Sequence, residues 1–303
     1  MKKVVKYKIS YLSRTLQYSL FVLLLNIAGP SIGQRKSSSD RITSGKSGVK
    51  DFNLAQNMKL GDSNLDFHGF EGYSFLFQGR EAKIIRPKVT AVGHPWVWRA
   101  RFWGHEPQVD IGLLEHGYHV VYCDVAELFG NEEALKIWDG FYRKLQEGGL
   151  NKKSAMEGMS RGGVYIYNWC LRYPDRVNAI YADAPVLDFK SWPGGKTTGK
   201  GSKSDWETFK KDYGLTETQA WAFADAPIDK AKIIAGFKIP LLHVVGDKDD
   251  VVPIAENTMP FAEEIRRAGG HIEIIHKPEV GHHPHCLVDP SPIIDFILKA
   301  NSK

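Results

Sequence analysis

Cysteine is scarce in this chain, with three in 303 residues, at Cys123, Cys170 and Cys286. An odd count at wide spacing makes no disulfide framework, and without a Cys-x-x-Cys pair there is no thiolate zinc site or dithiol redox centre. The three are expected as small buried hydrophobes, one pair of which could oxidise in an exported protein. No apolar run reaches the roughly 20 residues that a bilayer-spanning helix needs, no internal repeat is visible, and no acidic residue precedes Asp40. This last absence decides the charge. Lys2, Lys3, Lys6, Lys8 and Arg14 carry the formal net charge of +5, and without residues 1–33 the chain has 35 basic residues against 35 acidic. A bulk that is formally neutral gives no electrostatic case for a nucleic-acid partner.

Those basic residues precede the apolar segment Leu20 to Ala28, and small residues follow at Ser31 and Gly33. The three-part pattern is that of a secretory signal over residues 1–33. A secreted or periplasmic protein is expected, with no membrane association after signal removal. Residues 34–66, rich in Ser, Lys, Gly, Asp and Asn, are expected as a loosely packed arm. The whole chain is 43% hydrophobic and 12% aromatic, enough for one large core in the remainder, 67–303.

Within that domain Tyr73, Phe75 and Phe77 alternate with smaller or polar residues, Gln78-Gly79-Arg80 turns, and Ala82 to Ile85 returns, which predicts a hairpin. Strands over Pro95–Phe102, Tyr118–Val125, Ser154–Met159 and Val177–Val186 then alternate with helices. The helix from Asn131 to about Gln146 shows a core-facing stripe of Ala134, Leu135, Trp138, Phe141, Tyr142 and Leu145. Alternation of this kind predicts a mostly parallel central sheet flanked by helices. Residues 187–237 interrupt it with a Gly/Lys/Ser loop and helices, expected as a lid over the strand ends. A strand at Pro240–Val245, a helix, a strand at His271–Ile275 and a last helix resume the order.

Ser154 to Gly163 reads as strand, turn and helix, with Gly158-Met159-Ser160-Arg161-Gly162 at the turn. Glycines two before and two after a serine let the backbone bend sharply enough to present the hydroxyl. A serine is a poor nucleophile unless a base and a group orienting that base follow. Gly246-Asp247-Lys248-Asp249-Asp250 leaves one later strand, and Gly281-His282-His283-Pro284-His285 follows another. The chain order is Ser, Asp, His, each just beyond a strand's carboxyl end.

On these residues, over about 70–300, the chain resembles the α/β-hydrolase superfamily. The resemblance implies that Ser160 attacks an acyl carbonyl, that His282 carries the proton, and that Asp249 orients His282. Asp247 and Asp250 are the competing acids. It also implies oxyanion donors at the backbone N–H of Arg161 and of Trp103 or Gly104, although no His-Gly-Gly-Gly stretch marks the second. No cofactor and no metal are expected: His282, His283 and His285 sit on a tight turn with Pro284 between them, and no acidic or thiol partner has metal-ligand spacing. Glu157, in the nucleophile strand, is expected in an ion pair with Arg99, Arg101 or Arg161. Trp138 and Trp169 are expected in the core, whereas Trp103, Trp192 and Trp206, in loops or the lid, are candidates for stacking on a sugar ring or for lid–sheet packing. The expected function is a secreted serine hydrolase acting on a small-molecule or polysaccharide ester. Serine peptidases of the prolyl-oligopeptidase kind share the triad order, and a non-catalytic hydrolase-like binding protein is the other alternative; the presence of all three triad residues speaks against it.

Overall fold

The computed structural model describes residues 52–301. The expected signal at 1–33 and the arm as far as residue 51 lie outside the described residues. In chain order the elements are α1 (Leu54–Met58), β1 (Leu65–Phe67), β2 (Phe70–Phe77), β3 (Arg80–Ile85), β4 (Trp96–Ala100), α2 (Gln108–Glu115), β5 (His119–Cys123), α3 (Glu132–Glu147), β6 (Ser154–Met159), α4 (Gly162–Arg172) and β7 (Val177–Asp183). The helices α5 (Lys203–Tyr213), α6 (Glu217–Trp221) and α7 (Ala231–Gly236) follow, and then β8 (Leu241–Gly246), α8 (Thr258–Arg267), β9 (Ile272–Lys277) and α9 (Ser291–Asn301). Among the described residues no helix is long and apolar enough to cross a membrane.

One sheet of order β1-β2-β3-β5-β4-β6-β7-β8-β9 runs through the domain. The hairpin strands and β5 pair antiparallel, and every pair from β5 across to β9 is parallel. Alternation along β4 separates its two faces. Trp96, Trp98 and Ala100 join the core under α3 and α4, while Val97 joins the one under α2 and α9. Trp98 meets Trp138 at 4.6 Å and Trp169 at 5.2 Å between ring centroids, so both tryptophans are core residues as expected. The α3 stripe is buried at each predicted position, and the Asn131 side chain caps the helix by accepting from Ala134 N–H over 3.0 Å. From β4 the chain moves outward to β5 and then returns to the other side of β4 with β6. Strand order therefore reverses between β4 and β6, and the loops leaving their carboxyl ends part to open a crevice, where parallel sheets hold their ligands.

One boundary differs from expectation. The packed unit begins by Leu54, because Leu54 and Met58 on α1 are buried in the main core and β1 adds a strand. Both elements are too short to show a period. The 187–237 insertion packs on the loops that follow β5, β6 and β8, through Tyr213 Oη to the Phe129 carbonyl (2.9 Å), Asp205 to Arg161 (2.7 Å) and Lys200 to Asp250 (2.7 Å).

Its loop is also pinned by Glu256, which accepts from Thr198 N–H (3.0 Å) and Oγ1–H (2.9 Å). Burial alone would push this carboxyl up; hydrogen bonds from Thr197, Thr198 and Ser191 instead bring it down from 4.5 to about 2. A depressed folded pKa contributes stability that is full above the unfolded value and lost as pH falls through the folded one. Glu256→Gln is accordingly expected to lower the thermal unfolding temperature at pH 7, with the difference from the native protein shrinking as pH approaches 2. A difference that stays constant with pH in thermal melts would contradict this role.

Candidate active site

Strand β6 delivers Ser160 in a left-handed backbone conformation, φ +49°, which costs a non-glycine residue on the order of 1–3 kcal/mol and persists only where the surroundings fix it. Here the Ser160 N–H donates to the Asp183 carbonyl (2.8 Å), and its own carbonyl accepts from Val186 N–H and Gly163 N–H, each at 3.0 Å. The flanking glycines are required by close approach. A Cβ on Gly158 would stand 2.7 Å from the Gly162 backbone, and one on Gly162 would stand 2.8 Å from the Ala100 carbonyl oxygen.

Next to this turn the loops after β8 and β9 are drawn together. A Cβ on Gly246 would collide with the Gly281 carbonyl oxygen, and Lys248 N–H donates to the Val280 carbonyl over 2.8 Å. The contact sets acid beside base. His282 Nδ1–H donates to Asp249 Oδ2 (2.7 Å), and Ser160 Oγ–H donates to His282 Nε2 (3.0 Å). The other oxygen of Asp249 accepts from Val251 N–H (2.9 Å) and Val252 N–H (2.8 Å), so its orientation is fixed and its side chain is fully buried. The competing acids are engaged elsewhere, Asp247 with His276 Nδ1 at 2.6 Å and Asp250 with Lys200. The carboxylate on Nδ1 holds the tautomer whose Nε2 lone pair receives the serine proton, and stabilises the imidazolium that results.

Arg161 begins the turn into α4 with its backbone N–H beside Ser160, the place expected of the first oxyanion donor. Of the two residues expected to offer the second, Trp103 lines the cavity at Ser160 and Gly104 does not. The loop that carries Trp103 is held from beneath by Arg99, which donates to the Phe102 carbonyl through Nε (3.2 Å) and Nη2 (3.1 Å), and to the His105 carbonyl. Arg99 Nη1 also binds Asp110 on α2 and Glu157 Oε1 on β6 (3.0 Å). Glu157 therefore pairs with Arg99, one of the three expected partners. Burial pushes the Glu157 carboxyl well above its ordinary range, and the Asp110 carboxylate pushes it further.

Arg99→Met would strand Asp110 in the interior and release the loop. It is expected to destabilise the protein by about 3–5 kcal/mol, with recovery of part of that loss in Arg99→Met/Asp110→Asn. Unfolding temperatures of the two variants check this, and equal values would contradict it.

A cavity of about 430 Å³ opens at the serine, lined by Phe102, Trp103, His105, Ser160, His282, His283 and His285. His285 is buried, its Nδ1 2.8 Å from Asp183 Oδ1, and Asp183 also accepts from Cys286 N–H (2.8 Å) and Tyr181 Oη–H (2.9 Å). Burial, and then the neighbouring His285, His282 and His105, hold the His283 pKa below its ordinary value. Phe102, His105 and Asp183 were not singled out by sequence reasoning.

Trp192 and Trp206 are the correction. Neither lines this cavity. Trp192 stacks on Phe129 at 6.2 Å and lies under the Arg161 guanidinium at 5.2 Å. Trp206 packs on Trp221 at 4.7 Å and donates its Nε1–H to Glu217 over 3.1 Å. Both rings are taken up by the main core, Trp192 against Phe129 outside the insertion and Trp206 against Phe209 and Trp221 within it. The three cysteines are free and buried, and burial pushes each thiol up to about 12.

The fold is the α/β-hydrolase fold, and at its strand ends Ser160, His282 and Asp249 stand in the geometry of a serine nucleophile, its base and the acid that orients the base. Residues 145–291, a span that holds Ser160, Asp249 and His282, match the prolyl oligopeptidase family. Among solved structures the chain is similar to the acylaminoacyl peptidase of Pyrococcus horikoshii, with a TM-score of 0.53 and 18% identity over 70% of this chain and 38% of that one. It is also similar to Est1E from Butyrivibrio proteoclasticus, with a TM-score of 0.52 and 17% identity over 79% of this chain and 98% of that one. The chain thus spans well under half the length of the first and nearly the whole of the second. At these identities the likeness shows the fold. None of the curated proteins matches the chain.

Proposed function

We propose that the protein is a secreted or periplasmic hydrolase of carbohydrate-linked acyl or methyl esters, acting through an acyl-enzyme on Ser160. The observation that carries the hydrolase reading is the unbroken relay from Asp249 through His282 to Ser160, at 2.7 and 3.0 Å. In the first step Ser160 Oγ attacks the ester carbonyl, His282 Nε2 takes its proton, and the carbonyl oxygen turns toward the Arg161 N–H. His282 then returns the proton to the leaving alcohol, and water repeats the sequence to release the acid. The sugar preference is supported by Trp103, whose ring forms part of the cavity wall and is braced by Phe67 at 5.1 Å and Tyr122 at 5.5 Å. A braced aromatic face beside a polar cavity suits the apolar face of a pyranose. Export is supported by the leader alone.

Trp103→Ala is expected to raise KM for an acylated oligosaccharide about tenfold while changing KM for p-nitrophenyl acetate little, because the small ester does not reach the ring. Equal changes on the two substrates would remove the sugar reading. The second reading, a peptidase, is favoured by the family match over 145–291. Assays on acetylated polysaccharide, a feruloyl ester and a peptide amide separate the two: turnover of the amide with none of the esters would replace the first reading by the second.

A further inference from the structure

The relay needs one histidine, yet four surround the cavity. The loop after β4 brings His105 against His283 and His285 from the loop after β9, and one nitrogen from each of the three lies within 4.8 Å of the others. His282 is already committed, by Asp249 on one nitrogen and Ser160 on the other. We propose that His105, His283 and His285 form a binding site for a divalent cation of the zinc class, and that its occupancy switches off the adjacent serine.

The donors and their surroundings argue for the first part. Three imidazoles suit zinc, copper or nickel and exclude magnesium and calcium, which take oxygen ligands. His285 is buried and donates Nδ1–H to Asp183, so its free Nε2 keeps a lone pair for a metal. His105 has Glu106 at 3.4 Å from Nε2, and the second Glu106 oxygen is buried without a hydrogen-bond partner. His285 thus carries a carboxylate on Nδ1, the support that fixes tautomer and orientation in metal-binding histidines. With nitrogens about 2.0–2.1 Å from the ion, a tetrahedral site places them roughly 3.4 Å apart. Closing the present spacing requires rotation of His105 and His283, and both side chains are exposed. Three protein ligands leave a fourth position open, toward the cavity.

The second part rests on the hydrolase reading. The His282 ring lies 5.0 Å from that of His283 and 4.9 Å from that of His285, so an ion held by those rings sits directly against the relay. The ion also occupies part of the space the acyl substrate needs.

The test uses the full chain without a histidine tag. Calorimetric titration of zinc chloride into the Ser160→Ala variant is expected to show one saturable site, kept in His282→Ala and weakened at least about 100-fold in His105→Ala and in His283→Ala. Because these two side chains are exposed, their loss leaves core packing intact. Labelling of the native protein by a fluorophosphonate is expected to slow about tenfold or more when zinc is added and to recover with a chelator, whereas His283→Ala labels at one rate throughout. No saturable binding, or binding undiminished in both alanine variants, overturns the site. Zinc that binds without slowing the label overturns the switch. Absence of labelling in metal-free native protein would defeat the hydrolase reading while leaving the binding result standing; labelling without zinc binding would defeat the site alone.

Discussion

Ser160→Ala is expected to lower kcat for ester hydrolysis by about 10⁶-fold, the scale seen when the nucleophile of a serine relay is lost, and to leave the thermal unfolding temperature nearly unchanged. The two halves of this expectation have separate physical grounds. The loss is large because no other hydroxyl lines the cavity, and because His282 Nε2 then faces no acidic proton to accept. The fold is spared because the Ser160 side chain hydrogen-bonds only His282; what holds the turn is backbone bonding to Asp183, Val186 and Gly163, which alanine retains. A variant that loses activity together with its folding transition would point to a structural role for the residue.

Asp249→Asn is expected to lower kcat by about 10⁴-fold, against changes within a few fold for Asp247→Asn and Asp250→Asn. An asparagine can still accept from Val251 and Val252, so the loop survives. Its amide, however, can donate to Nδ1 and favour the tautomer with the proton on Nε2, where it blocks attack. Asp247 pairs with His276 and Asp250 with Lys200, and neither touches His282. Steady-state kinetics on the three variants checks the assignment; a comparable collapse in Asp247→Asn would move the acid to that position.

The relay was legible in the sequence because each of its members is announced locally. Ser160 sits between glycines that close approach demands, Asp249 follows the glycine that ends an apolar strand, and His282 directly follows a glycine just beyond the last strand. The strand–helix alternation gave the parallel sheet for the same reason, since its periods are local. What escaped depends on strand order. His105 meets His285 only because β4 and β9 send their loops toward one crevice, and Asp110 meets Glu157 only because α2 covers the face of β4 and β6 from which Arg99 projects. The lid tryptophans were misplaced for a related reason. Sequence puts Trp192 and Trp206 in an irregular segment, and only the packing reveals that Phe129, Phe209 and Trp221 already occupy their faces.

The most direct measurement is peptide mapping by mass spectrometry after reaction of the native protein with a fluorophosphonate. The account predicts a single adduct on Ser160, formed at a rate that falls sharply in His282→Ala and vanishes in Ser160→Ala. An adduct on any other residue, or labelling that persists in Ser160→Ala, would contradict it.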